Sequence, residues 1–164
     1  MYSRLEDHYH IESPGNFSGQ GTWVYRQIKG EDGTVFPDFA ELSSKWDTGA
    51  EYIAVYPNVL LGVHRDHTTV ILLEPIGPEK TVEHVHFYYA QPDTSDALRT
   101  QNMLQWKQVF EEDIFVVEGM QQGRHAPLFD GGRFSPAMDG PTHMFHNWIA
   151  TKLQNWTAQK NAAE

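Results

Sequence analysis

The chain has 164 residues, a formal net charge of −10 and no cysteine. That length suits one domain that buries its core without staples, and 40% apolar with 13% aromatic residues can supply the core. The charge argues against nucleic acid or an anionic membrane as main partner, and the missing cysteines exclude disulfides, zinc fingers, cysteine nucleophiles and cysteine-held iron–sulfur clusters. No apolar run reaches the roughly 18 residues of a membrane span. The opening "MYSRLEDHYH" lacks the apolar stretch of a signal peptide, so the cytoplasm is the expected compartment.

Residues 1–50 are weakly patterned. "TWVYRQI" (22–28) alternates enough for a strand, and "KGEDGT" carries an Asp-Gly turn signal. "FPDFAELSSKWDTGA" reads as a loop with room for one helical turn. Residues 51–90 are the clearest β region. "EYIAVYPNVLLGVH" predicts two short strands around Tyr56-Pro57-Asn58, "RDH" (65–67) a turn, "TTVILLEPI" a strand, "GPEK" a turn and "TVEHVHFYYAQ" a further strand. Turns this short predict an antiparallel meander.

The period then changes. From Asp93 to Glu118 there is no glycine or proline, which predicts one helix of about 25–30 residues capped by Asp93, Thr94 or Ser95. Leu104 and Phe115 lie opposite its main apolar stripe, so the helix is expected to be covered on more than one face. Residues 125–140 form a Gly/Pro-rich loop. Asp139-Gly140-Pro141 should then cap an amphipathic helix over "THMFHNWIATKLQNW", with "TAQKNAAE" fraying. Sheet first and helices after is an α+β arrangement, with the helices on one face of an antiparallel sheet.

One residue breaks the pattern. Trp106, Val109, Phe110, Val116, Val117 and Met120 all fall within about 60° of Asp113 on the helical wheel. A carboxylate buried there must be paired, protonated or metal-bound. Spacing alone leaves two readings open, a structural partner such as an arginine or an indole N–H, and a functional group. The histidines are weaker signals. His84 and His86 share one side of a strand and can chelate, or simply face water. His143 and His146 are one helical turn apart without a carboxylate at metalloprotease spacing. His8 and His10 sit near the terminus, and "HRDH" (64–67) reads as a polar turn. "GNFSGQG" is not a phosphate loop, and "DGGRFSP" is turn-rich only.

Three stretches carry a resemblance: "YPNVLLGVHRDHTTVILLEPIGPEKTVEHVHFYYA" (56–90), "VFEEDIFVVEGMQQGRH" (109–125) and "FDGGRFSPAMDGPTHMFHNWIA" (129–150). With them the chain resembles the C-terminal catalytic part of the α subunit of Rieske-type aromatic-ring-hydroxylating oxygenases, most clearly over 50–150. The resemblance implies a helix-grip fold, here a single domain truncated at its N-terminal side. It implies O₂-dependent hydroxylation of an aromatic or other apolar small molecule at a mononuclear non-haem Fe(II), held by two histidines and one aspartate. The family's aspartate falls on Asp113. Trp106, Phe110, Val117 and Met120 would flank it as substrate-pocket residues. The family's paired histidines and its Rieske domain have no counterpart here, and the ligand roles do not transfer to His8 or His10. One iron ligand of three is expected on this chain, no [2Fe–2S] cluster, and no activity in isolation. Expected partners are the missing N-terminal segment, other α subunits of a trimer, and a reductase or ferredoxin serving the complete enzyme. A stand-alone helix-grip module for a hydrophobic ligand and a non-catalytic assembly subunit are the alternatives. An exposed apolar patch is expected where the upstream segment would pack.

Overall fold

A computed structural model describes residues 4–13, 15–30 and 32–163. Six strands form one antiparallel sheet in sequence order: β1 (His8–Glu12), β2 (Phe17–Thr22), β3 (Ala50–Val55), β4 (Val59–Val63), β5 (His67–Gly77) and β6 (Lys80–Tyr89). Two helices follow, α1 (Asp96–Arg124) and α2 (Gly140–Ala163). The fold is α+β.

The meander from β3 to β6 is the one expected from alternation and short turns. A short 3₁₀ turn at Ser44–Asp47 is the helical turn in the long loop. The N-terminal part differs from expectation. The strand predicted over 22–28 ends at Thr22, and the β structure lies earlier, in β1 and β2. β2 is "FSGQGT", a sequence with little strand propensity of its own. It is a strand because β1 and β3 pair with it on both sides. Its glycines admit that closeness: a Cβ on Gly19 would strike the Tyr52 carbonyl, and one on Gly21 the Tyr9 ring.

α1 begins after Ser95, as expected, although the Ser95 side chain makes no capping bond. α2 runs on through the tail that was expected to fray. Asp139 leads into it in an unexpected way. Its carboxylate accepts from the Ser135 N–H in the preceding loop, and its backbone carbonyl accepts from the His143 N–H.

Only the first half of α1 is packed as a core helix. Leu98 and Asn102 are buried, and Trp106 and Phe110 are half-buried on the same side. From Glu111 to Met120 every residue of the helix is exposed, and the helix end meets the β5–β6 turn again where Gln121 and His125 reach Glu79. Leu104 and Phe115 are exposed, Phe115 by 82%, so the expected second covering layer is absent among the described residues. Val116, Val117 and Met120, on the Asp113 side of the helix, are exposed too.

Candidate functional site

The sheet's concave face, α1 and the start of α2 enclose a cleft of about 560 Å³. Residues of β3, β4 and β5 form its floor, among them Tyr52, Leu60, Gly62, Thr69 and Ile71, with Tyr56 just after β3. Trp106, Val109, Phe110 and Asp113 line it from α1, and Phe145 from α2.

Two hydrogen-bonded chains hold the jaws of this cleft to the sheet. On the α2 side, the buried Tyr56 hydroxyl donates to Ser18 Oγ, which donates to the Pro141 carbonyl at 2.9 Å. The Trp148 indole also donates to Asn16 Oδ1 at 2.8 Å, and the Tyr56 ring packs on Phe145. On the α1 side, Trp106 Nε1 donates to His67 Nε2 at 3.2 Å. An indole nitrogen can only donate, so His67 Nε2 accepts and its Nδ1 carries the proton. That proton is given to Asp66, 2.7 Å away. The Tyr25 hydroxyl donates to the same carboxylate at 2.9 Å.

The inner end of this polar chain is deeply buried, with Asp66 0%, His67 1% and His64 2% exposed. It sits in the stretch expected to be a plain polar turn. The reason lies in the loop before β3, which folds over the β4–β5 hairpin end. Tyr25 packs on His64, Phe36 on Tyr89, and the Phe39 N–H bonds the Arg65 carbonyl. The turn's two charges then point opposite ways. Arg65 turns outward to Asp38 and Asp47, and Asp66 turns inward. Burial pushes the Asp66 carboxyl up, but the His67 and Tyr25 bonds outweigh it and hold it below the usual carboxylate range. Burial also pushes the Tyr25 hydroxyl up, helped by Asp66. His64 stacks on His67 with ring centroids 4.4 Å apart. Burial first, then His67, pushes it down to about 3, so it is neutral.

Asp113 is where the helix register put it, on the cleft side of α1. It is exposed rather than buried, so the desolvation argument that made it conspicuous does not apply. Its neighbours from Glu111 to Met120 are all exposed as well. Trp106 and Phe110 line the cleft, whereas Val117 and Met120 lie beyond its lining and are exposed. His84 is on the outer face of β6 and pairs with Glu74 at 2.7 Å; His86 is exposed on the same face. His143 and His146 pack on Phe134, and His10 lies 3.5 Å from Glu12. Among the described residues no group of three or more His, Asp or Glu side chains is placed to hold a metal ion. The Fe(II) implied by the resemblance does not fit the donor set of the described residues, which bring no second and third His, Asp or Glu ligand to Asp113.

The family model "Ring hydroxylating alpha subunit (catalytic domain)" matches residues 7–155. Choline monooxygenase of Arabidopsis thaliana, described as chloroplastic, is 30% identical over 119 residues, 71% of this chain and 26% of that protein. Putrescine 2-hydroxylase of Ralstonia nicotianae is 34% identical over 111 residues, 61% of this chain and 29% of that protein. Among solved structures, the quaternary ammonium Rieske monooxygenase CntA with its substrate gamma-butyrobetaine superposes with a TM-score of 0.52 at 16% identity, over 76% of this chain and 30% of that one. That last likeness is one of fold. The chain spans about a quarter of the length of the curated relatives it matches. No helix among the described residues is long and apolar enough to cross a membrane. The chain belongs to the catalytic-domain family of the ring-hydroxylating oxygenase α subunits.

Proposed function

We propose that the chain is the substrate-pocket part of an oxygenase that hydroxylates a small amine or quaternary ammonium compound. The cleft carries the reading. Tyr52, Tyr56, Trp106, Phe110 and Phe145 wall it with aromatic rings, and the Asp113 carboxylate stands on its α1 side. An ammonium group within about 6 Å of such rings is attracted to their faces. A carboxylate and a net charge of −10 add to that attraction. The named activities of the choline, putrescine and quaternary ammonium relatives support it.

In this reading the residues of the chain bind and orient. The aromatic walls strip water from the ligand, the Tyr56–Ser18–Pro141 bonds fix the α2 jaw, and the Trp106–His67 bond fixes the α1 jaw. Asp113 is the chain's single contribution to an Fe(II) site, completed by histidines elsewhere in the parent enzyme. The chain has no cysteine, so a [2Fe–2S] cluster, and the reductase or ferredoxin that feeds it, also belong to the parent. Iron supplies O₂ activation when bound there, and the chain alone is inactive. Val117, Met120 and Phe115 are left for packing against the parent's other segments or subunits.

The family description, ring hydroxylating, favours a second reading in which an uncharged aromatic molecule fills the same cleft. Calorimetric titration of the full chain with choline and with neohexanol, its uncharged carbon isostere, separates the two. The amine reading expects choline to bind roughly tenfold tighter. Equal affinity, or a preference for neohexanol, favours the uncharged substrate.

A further inference from the structure

Trp106 differs from the other aromatic residues of the cleft in what its polar atom touches. The Tyr56 hydroxyl ends on a serine and a neutral carbonyl. Tyr52 meets His64 Nε2 at 3.3 Å, and that imidazole is neutral. The Trp106 N–H alone leads through a buried imidazole to a buried carboxylate: Trp106 to His67 at 3.2 Å, His67 to Asp66 at 2.7 Å. Arg65 next to it spends its guanidinium on Asp38 and Asp47 and acts on Asp66 only through space, with no ion pair to it. Its remaining partner is the uncharged Tyr25 hydroxyl.

Charge is transmitted well along such a chain. A carboxylate accepting from Nδ1 makes Nε2 a stronger acceptor, and bonds in series polarise one another in a low-dielectric interior. A stronger acceptor draws on the indole N–H and leaves more electron density on the ring. That ring lines the cleft. Cation–π attraction grows with that density, and Trp is already the best ring for it.

We infer that Asp66 and His67 are positioning residues of the cleft: they lock Trp106 into its wall and pass the buried carboxylate's charge to the indole, so that the wall selects a cationic group over an uncharged one of equal shape. This inference rests on the amine reading above. It assigns a role in ligand choice to the "HRDH" turn, from which that reading takes only the Trp106–His67 bond as a clamp on α1.

The test is the choline-to-neohexanol preference of the full chain, measured by calorimetry for wild type, Asp66→Asn and His67→Gln. Asparagine keeps the shape and the acceptor but removes the charge. Glutamine can accept from Trp106 but breaks the link to Asp66, and it serves if Asp66→Asn does not fold. Either change should lower the preference by roughly threefold or more through weaker choline binding, with neohexanol affinity nearly unchanged. The Trp106 indole N–H proton resonance should move upfield in the same variants. An unchanged preference in a folded variant, or both ligands weakening by one common factor, overturns the inference and leaves a packing role. A wild type with no preference for choline removes the amine reading, and this inference with it.

Discussion

Trp106 on α1 and His67 at the start of β5 are joined by a 3.2 Å bond from indole to imidazole. This bond fixes the tautomer of His67. It also ties the helix that carries Asp113 to a fully buried residue of the sheet, two turns before the carboxylate.

His64 dominates the acid side of stability. Its ring is neutral in the folded chain, pushed down to about 3, and titrates near 6.5 when unfolded. Between those values the unfolded chain binds one more proton, so stability falls as pH falls through this window. The slope from this residue is about 1.4 kcal/mol per pH unit at most. Asp66, also held below its ordinary range, adds a loss only at lower pH, below the unfolded carboxylate value. Denaturant melts of wild type and His64→Gln from neutral pH to pH about 4 check this: the variant should be less stable at neutral pH but show a flatter pH slope.

Thr69 tests the opposite case. Its hydroxyl oxygen is buried and has no hydrogen-bond partner. Thr69→Val removes that polar atom and keeps the shape, so it should be neutral or stabilising by up to about 1 kcal/mol. A loss above about 1 kcal/mol in a thermal melt would show that the hydroxyl is satisfied in the folded protein.

Asp113→Asn should leave the melting temperature of the chain almost unchanged, within about 0.5 kcal/mol, because the side chain is exposed. In the complete parent subunit the same change should abolish turnover without unfolding the protein. Retained turnover would remove Asp113 from the iron site.

The two halves of α1 should respond unequally. Leu98→Ala opens a cavity at a buried position and should cost about 2–4 kcal/mol. Phe115→Ser, on the exposed half, should cost less than about 0.5 kcal/mol and reduce self-association in sedimentation runs. Comparable costs at the two sites would mean that the second half of α1 is covered in solution.

The sequence made β3–β6 and α1 legible because their information is local: alternation, turn residues, and a long stretch without glycine or proline. β2 was hidden because its pairing comes from neighbours and its own residues are polar and small. The helical wheel placed Asp113 on the correct side of α1. The wheel says nothing of what stands opposite, so it cannot tell an exposed carboxylate from a buried one. The "HRDH" turn hides its burial for the same reason. Four polar residues at a hairpin end look solvated until a distant loop, carrying Tyr25 and Phe36, folds over them. Tyr52, Tyr56 and Phe145 gave no signal of their own beyond strand and helix periodicity. Strand pairing and the docking of α2 on Tyr56 and Ser18 bring them to one cleft.

The most direct measurement is an NMR search for through-space contacts between choline methyl protons and aromatic protons of the full chain. The account predicts contacts to Trp106, Tyr52 and Phe145 together, the rings that line the cleft from α1, β3 and α2. Contacts confined to rings outside it, such as the exposed Tyr88 and Trp156, would contradict the claim that this cleft holds an ammonium substrate.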